Sequence, residues 1–185
     1  MVSEKQIIDD CLKGKRKAFH QLYMRYCKVM LGVCMRYARN TSEAEDILQD
    51  GFLKVFQNLQ TFGFKGSFEG WIKRIMINTA LNHNRNNLKH YFHSDVDEIE
   101  EYTVMDSEIV IDKHEFPLNA DEMMRMVQAL PSGYRTVFNL YVFEGYSHKE
   151  IAVLLEISEN TSKSQLSKAR KYLRNIIFKA TSNKK

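Results

Sequence analysis

Residues 146–174 read YSHKEIAVLLEISENTSKSQLSKARKYLR, and this stretch decides the fold of the C-terminal part of the chain. Ile151, Ala152 and Leu155 fall on one face of a first helix, and Leu166 is placed to pack against them from a second helix. Only "EIS" separates the two helices, so the chain must turn sharply there. The pattern predicts a helix-turn-helix, whose second helix enters the major groove of DNA.

The second helix is strongly basic, with five Lys or Arg residues and one acid between residues 158 and 174. Gln can pair with adenine and Lys with guanine, while Ser, Thr and further Lys suit phosphates. The alternative is an exposed basic helix that only keeps the domain soluble. We expect DNA contacts from these positions: Ser158, Asn160, Thr161, Lys163, Ser164, Gln165, Ser167, Lys168 and Lys171.

The whole chain of 185 residues contains only two Pro and eight Gly, and its apolar residues recur at three- and four-residue spacing. This predicts an all-α fold with two small helical domains. Residues 94–115 carry a net charge of −8, which leaves +12 on the rest of the chain and favours a polyanionic partner. We therefore expect domains at 1–90 and 118–185, joined by an acidic linker at 91–117.

Helix signals follow this division. Ser42 with Glu45, and Ser147 with Glu150, have the spacing of capping boxes, and Pro131 suits the first turn of a helix. The helices are expected at about 4–12, 16–38, 41–58, 67–88, 119–129, 131–143, 147–155 and 158–178.

Other functional classes find little support in the sequence. There is no apolar stretch of roughly 20 residues to cross a bilayer and no signal-peptide core, so we expect a cytoplasmic protein without membrane insertion. Cys11, Cys27 and Cys34 form no CxxC pair and are expected to be buried free thiols. His90 and His93 lack further ligands, so we expect no metal. The sequence has no Gly-rich phosphate loop and no nucleophile paired with a base, so we also expect no cofactor and no catalytic residue.

A second candidate nucleic-acid surface lies in the N-terminal domain, on the helix after Ser67 and the Gly-containing loop before it. Aromatic rings interleaved with Lys, Arg and Asn suit unpaired bases, which they can stack on and hydrogen-bond. The alternative for each Phe, and for Trp71, is a place in the core. The candidate residues are Phe62, Phe64, Lys65, Phe68, Trp71, Lys73, Arg74, Asn78, Asn82 and Arg85.

The helix before that loop presents an acidic face. Asp46, Gln49, Asp50 and Leu53 lie opposite its apolar side. Negative charge would repel DNA, so this face suits a protein partner. The alternative is that each acid is simply solvated.

Four motifs in order resemble the extracytoplasmic-function sigma factors, the two-domain minimal class of bacterial sigma factor. The motifs are AFHQLYMRY (18–26), AEDILQDGFLKVF (44–56), FKGSFEGWIKRIMINTALN (64–82) and LPSGYRTVFNLYVFEGYSHKEIAVLLEISENTSKSQLSKARKYL (130–173). The resemblance covers nearly the whole chain.

The resemblance implies specific partners. Asp46, Gln49, Asp50 and Leu53 would dock on the clamp helices of bacterial core RNA polymerase. Residues 62–85 would open the −10 promoter element and hold a flipped base, with Asn78 at the pocket. The helix from Ser158 would read the duplex −35 element, and the acidic linker would thread the polymerase cleft.

The family also implies an anti-sigma factor as a partner, although no residue identifies one. The sequence departs from the family pattern in the turn, where Glu156 replaces a common Gly. It also departs at Asn160, Ser162 and Gln165, which leaves the −35 sequence open.

Two rival hypotheses come from other classes. A free-standing helix-turn-helix regulator would bind duplex DNA without polymerase, usually as a dimer. An adaptor made of two helical bundles would bind no nucleic acid, and removal of Lys163, Lys168 and Lys171 would not affect it. A nuclease is a more distant third, because no acidic cluster suits a divalent metal.

Overall fold

The computed structural model describes residues 2–85, 88, 91–92 and 119–182. The chain divides into two compact units, Met1–Arg85 and Asn86–Lys185. Eight α-helices and no strand occur in the described ranges, which confirms the all-α prediction. Most of the predicted acidic linker, residues 93–117, lies outside the described residues.

The first unit is a bundle of four helices and a short 3-10 turn. Helices α2, α3 and α4 pack on one another, and α1 packs on α2. Leu22, Met30, Ile47, Ile72 and Met76 are fully buried at the centre of this bundle. The bounds are α1 Glu4–Leu12, α2 Arg16–Tyr37, α3 Thr41–Gln57, the 3-10 turn Leu59–Thr61 and α4 Phe68–His83.

The predicted cap of α3 is wrong by two residues. Asn40 is the N-cap, and its Oδ1 accepts a hydrogen bond from the backbone N–H of Glu43 at 2.9 Å. Glu43 is itself buried, where its Oε2 accepts from the backbone N–H of Arg39 at 2.7 Å. Ser42 and Glu45 therefore lie inside the first turns of the helix, and both are exposed.

Helix α4 begins as expected, because Ser67 Oγ accepts from the backbone N–H of Gly70 at 3.3 Å. It ends at His83 with Asn84 as its C-cap, earlier than the expected end near residue 88. Its apolar stripe packs inward, with Ile72, Met76 and Thr79 buried. The opposite side of α4 is therefore left to face solvent.

The second unit contains four described helices. They are α5 Ala120–Gln128, α6 Ser132–Phe138, α7 His148–Leu155 and α8 Glu159–Ser182, and a π turn, Asn139–Phe143, continues α6. The capping box of α7 is confirmed: the Ser147 N–H donates to Glu150 Oε2 at 2.8 Å, and the Glu150 N–H donates to Ser147 Oγ at 3.3 Å. Pro131 is the N-cap of α6 and not part of its first turn.

The core of the second unit includes Tyr91, the first residue of the predicted linker. Leu130, Tyr134 and Ala169 are buried together, and Tyr91 packs against them. Gly133 makes this possible, because a Cβ atom there would overlap the Tyr91 ring. Tyr91 is thus part of the packing of this unit.

No helix in the described parts of the chain is both long and apolar enough to cross a membrane.

Candidate DNA-binding and polymerase-binding surfaces

Helices α7 and α8 form a helix-turn-helix. Ile151, Leu166 and Ala169 are almost completely buried, as the sequence pattern predicted for the first two. Glu156 ends α7 in the left-handed conformation, with φ 58° and ψ 41°. Ser158 then caps α8, because its Oγ accepts from the backbone N–H of Thr161 at 2.9 Å. The short turn therefore has defined geometry at both of its ends.

Most of the predicted −35 contacts lie on the solvent side of α8. Thr161 and Gln165 are half-buried, and Gln165 Oε1 has no hydrogen-bond partner among the described residues. A polar atom in that state is available to a base edge if the side chain turns outward. The exposed members are Ser158, Asn160, Lys163, Ser164, Ser167, Lys168 and Lys171.

An acid shares this surface. Lys163 Nζ lies 2.9 Å from Glu159 Oε1, four residues earlier on the same helix. The hydrogen bond from Lys163 lowers the pKa of Glu159, so the carboxylate is ionised at neutral pH. Glu159 would face the phosphates together with the lysines. The sequence signal for this pair was the i, i+4 spacing of Glu and Lys.

Ser162 is not on the exposed side of α8, although its departure from the family pattern suggested a role in −35 sequence preference. It is fully buried, and its Oγ is joined by a hydrogen bond of 2.9 Å to His148 Nδ1. The His148 ring is stacked on Tyr141, with centroids 4.6 Å apart. Sequence reasoning missed this contact because it is set by tertiary packing and not by spacing along one helix.

The exposed side of α4 carries the predicted amide and cationic stripe. Arg74, Asn78, Asn82 and Arg85 are all exposed, and they follow one another at three- and four-residue intervals. Trp71 is half-buried at the start of this stripe. The structure thus places a half-buried tryptophan, two amides and two guanidinium groups along one surface.

Two of the predicted base-contacting aromatics are core residues. Phe62 is 7% exposed and Phe68 is 1% exposed. Their rings pack with Trp71, each with its centroid 5.5 Å from the indole. This burial argues against direct base contacts by Phe62 and Phe68, because a stacking ring needs a free face. Their role in the structure is to support Trp71 and the loop.

Phe64 differs from its aromatic neighbours. It is 48% exposed, and its backbone is in the left-handed region with φ 54°. This conformation costs a non-glycine residue about 1–2 kcal/mol, and such strain is often kept at functional sites. One ring face rests against Phe62, with centroids 5.1 Å apart. The loop thus presents an aromatic ring to solvent beside the exposed Lys65.

The acidic face of α3 is present as predicted. Asp46, Gln49 and Asp50 are exposed, and Leu53 is 58% exposed. Gln49 also lines a cleft of about 230 Å³ between α2 and α3. The cleft residues are Tyr23, Cys27, Lys28, Leu31, Glu45, Leu48 and Gln49.

Cys11, Cys27 and Cys34 are all free cysteines. Cys11 and Cys34 are buried, and burial raises the pKa of their thiols to about 11 and about 12 respectively. Cys27 is half-buried. Within the described ranges, no group of three or more His, Cys, Asp or Glu could hold a metal ion. His90 and His93 lie outside the described residues.

Two family models match this chain, one in its N-terminal part and one in its C-terminal part. The family model described as "Sigma-70 region 2" matches residues 22–89, and that described as "Sigma-70, region 4" matches residues 120–173. The chain is 31% identical to the RNA polymerase sigma-H factor of Pseudomonas aeruginosa over 179 residues, which cover 90% of each protein. It is 26% identical to the ECF RNA polymerase sigma-E factor of Haemophilus influenzae over 182 residues, which cover 95% and 96% of the two chains.

Among solved structures, the chain is similar to the sigma factor RpoE of Bartonella quintana, crystallised with the anti-sigma factor NepR. The TM-score is 0.51 at 20% identity, and the alignment covers 88% of this chain and 98% of that one. At this level of identity, the similarity shows that the two proteins share a fold.

Proposed function

Because the chain belongs to the extracytoplasmic-function class of sigma-70 family RNA polymerase sigma factors, we propose that it directs core polymerase to promoters through the surfaces described above. The observation that carries this proposal is the pairing in one chain of a region 2 bundle and a region 4 helix-turn-helix, each with its own polar face. A free-standing helix-turn-helix regulator would not need the acidic face of α3. We place the two domains at 1–90 and 118–185, with the acidic linker at 91–117.

Polymerase binding is assigned to α3. Asp46, Gln49, Asp50 and Leu53 combine negative charge with one exposed apolar side chain, which suits a protein surface of opposite charge. The adjoining cleft between α2 and α3 offers space for a side chain of the partner. The acids would supply orientation and association rate, and Leu53 would supply buried area.

Recognition of the −10 element is assigned to the loop and to α4. Phe64 and Trp71 would stack on unpaired bases, while Asn78 and Asn82 would hydrogen-bond to their edges. Lys65, Lys73, Arg74 and Arg85 would neutralise the phosphates of the separated strand. Phe62 and Phe68 would support the aromatic surface from beneath.

Recognition of the −35 element is assigned to α8. Its N-terminal half carries Asn160, Thr161, Ser164 and Gln165, which can contact base edges, as this half does in helix-turn-helix proteins. The remaining contacts would go to phosphates, from Ser158, Lys163, Ser167, Lys168 and Lys171.

The mechanism needs no covalent chemistry. The protein would favour promoter opening because α4 and its loop bind separated strands better than the duplex, which shifts the equilibrium between closed and open states. Unstacking a base costs a few kcal/mol, which the aromatic and amide contacts offset. The acidic linker would follow the polymerase cleft that nucleic acid otherwise occupies, since both are polyanionic.

We further propose that the protein works in the cytoplasm with RNA polymerase and that an anti-sigma factor holds it inactive. The Bartonella quintana relative was crystallised with such a partner.

The test is a pull-down of the full chain with purified bacterial core polymerase, followed by transcription from a promoter library with and without the protein. Stoichiometric binding, with new start sites that share −10 and −35 elements, is expected. Retention on duplex DNA without polymerase binding would instead support the free-standing regulator. Failure to bind either one would support the adaptor.

A further inference from the structure

We infer that His148 is a positioning residue for −35 recognition. Through its hydrogen bond to Ser162, it holds the N-terminal half of α8 at the angle to α7 that contact with the −35 element requires. The inference rests on the proposed −35 function of α8. It starts from the hydrogen bond of 2.9 Å between His148 Nδ1 and Ser162 Oγ. His148 is the first residue of α7, and Ser162 lies in the first turn of α8.

The contact is well placed to set the angle between the two helices. The turn already fixes one point, where Glu156 and Ser158 end α7 and begin α8. The buried pair Ile151 and Leu166 supplies apolar packing, which is non-directional. A hydrogen bond has a preferred direction and length, so this one can fix the helix more narrowly than packing alone.

Loss of this hydrogen bond would leave a buried hydroxyl group on Ser162 without a partner. Its side chain is fully buried, and His148 is the hydrogen-bond partner found for its hydroxyl. A buried hydroxyl without a partner costs about 1–3 kcal/mol. Because the same helix carries Thr161 and Lys163 beside Ser162, a shift that breaks the bond would also move the proposed base and phosphate contacts.

The π turn also restrains the His148 ring, through a contact separate from the hydrogen bond to Ser162. Tyr141 lies in this turn and stacks on His148 at 4.6 Å with an interplanar angle of 23°. The guanidinium of Arg170, from α8, lies 6.0 Å from the centroid of the same tyrosine ring. A π turn inserts one extra residue into a helix and is often found at functional sites. Here it turns Tyr141 toward α7 and so limits the rotation of His148.

The test uses full-length protein bound to core polymerase and a promoter selected from a randomised library by the wild-type protein. The quantity is the −35 discrimination ratio, the Kd for a promoter with a scrambled −35 element divided by the Kd for the selected one. His148→Phe keeps a ring on Tyr141 but lacks Nδ1, and Ser162→Ala lacks the hydroxyl. Each is expected to lower the ratio about fivefold, the value of one typical hydrogen bond.

The double variant separates this role from general stability. His148→Phe with Ser162→Ala should lower the ratio no further than either single change, because both remove the same bond. His148→Asn places a nitrogen where Nδ1 lies and should restore the ratio to within about twofold of wild type. Affinity for core polymerase should not change. If His148→Phe prevents folding, Ser162→Ala and His148→Asn still carry the test.

A spectroscopic measurement is independent of DNA. The ¹⁵N chemical shifts of the His148 imidazole in the full chain should change in Ser162→Ala. Unchanged shifts, an unchanged ratio, or losses that add in the double variant would each overturn the inference. If the wild-type protein itself shows no −35 discrimination, the proposed function of α8 fails, and the inference fails with it. If the wild-type protein discriminates between −35 elements and the variants do so equally well, the proposed function of α8 stands and the inference about His148 fails.

Discussion

Met76 of α4 packs directly against the α-carbon of Gly51 on α3, in the space where a side chain at position 51 would begin. Met76 is fully buried, so it has little room to move away. Asp50 of the proposed polymerase surface precedes Gly51, and Asn78 of the proposed −10 surface lies two residues after Met76. This contact therefore holds the two helices that carry both proposed surfaces close together.

Substitution at Gly51 should destabilise the first unit. Gly51→Ala gains up to about 1 kcal/mol of helix propensity but overpacks the core against Met76, at a typical cost of 1–3 kcal/mol. We expect a net loss of about 1 kcal/mol, measured by chemical denaturation of the full chain. The control is Gly32→Ala on α2, where a Cβ would meet nothing within 4 Å. That change should stabilise the unit, so equal effects at the two positions would contradict the packing argument.

The double change Gln49→Ala with Asp50→Ala should weaken binding to core polymerase by about tenfold or more and leave the fold intact, since both side chains are exposed. The measurement is a fluorescence-anisotropy titration of the labelled chain with core polymerase, alongside circular dichroism. Asp9→Ala with Gln21→Ala removes the same charge and amide from α1 and α2 and serves as the control. Unchanged affinity in the first variant would remove α3 from the proposed interface.

Asn78→Ala should impair promoter opening more than initial binding, because its amide would meet an unpaired base only in the open state. We expect about a tenfold loss of permanganate reactivity at the −10 thymines, with closed-complex affinity within about twofold of wild type. Gln57→Ala removes an exposed amide from α3 as the control. Equal losses in both steps would argue against a base pocket at this position.

Glu159→Gln should strengthen −35 binding. Its carboxylate has a lowered pKa and is charged at neutral pH, and it pairs with Lys163 at 2.9 Å. Removing the charge frees Lys163 for a phosphate and removes repulsion, so the affinity should rise about threefold to tenfold and the salt dependence should become steeper by about one phosphate contact. Kd values of the holoenzyme measured across a salt series would check this. A weaker complex would mean that Glu159 itself contacts a base, since Glu can accept from cytosine.

The same pair makes a pH prediction. The ion pair between Glu159 and Lys163 forms only while the Glu159 carboxylate is charged. Because the pKa of Glu159 is lowered in the folded state, this pair is present at every pH above the ordinary glutamate pKa. It is lost only as the pH falls through the lowered value. The gain from Glu159→Gln should therefore stay constant between about pH 6 and 8. A gain that disappears within that window would contradict the lowered pKa.

Glu156→Gly should stabilise the second unit by about 1 kcal/mol, because position 156 has φ 58° and glycine adopts this conformation without strain. The reverse control is Gly145→Ala, since Gly145 has φ 74° and open space around it. That change should cost about the same amount. Thermal denaturation of the full chain gives both values, and a destabilised Glu156→Gly variant would show that the Glu156 side chain contributes more than its strain costs.

Local patterns predicted most of the fold. The all-α fold and the capping box at Ser147 and Glu150 follow from short-range rules, and both are confirmed. The N-cap of α3 was misassigned, although its start near residue 41 was right, because two capping patterns overlap there. Asn40 is among the strongest N-caps, and burial of Glu43 favours the earlier start.

The candidate site was predictable where it depends on one helix. The exposed stripe from Arg74 to Asn82 has a helical period and is present on α4, and the exposed Arg85 follows just after the end of that helix. The burial of Phe62 and Phe68 agrees with the alternative stated for each Phe, because a phenylalanine at a helix junction usually packs in the core. The His148–Ser162 contact depends on the angle between two helices and on a π turn, and neither has a signature in the sequence.

Tyr91 has a consequence for how the protein can be divided. Its ring occupies the niche over Gly133 and contacts the core at Leu130 and Tyr134, although it lies 29 positions before Ala120, where α5 begins. A fragment that starts at Asn119 would leave this niche open to water and expose the apolar surface that the ring covers. Isolated helix-turn-helix fragments of this protein should therefore aggregate or bind DNA weakly for reasons unrelated to recognition, and a useful fragment must begin before residue 91.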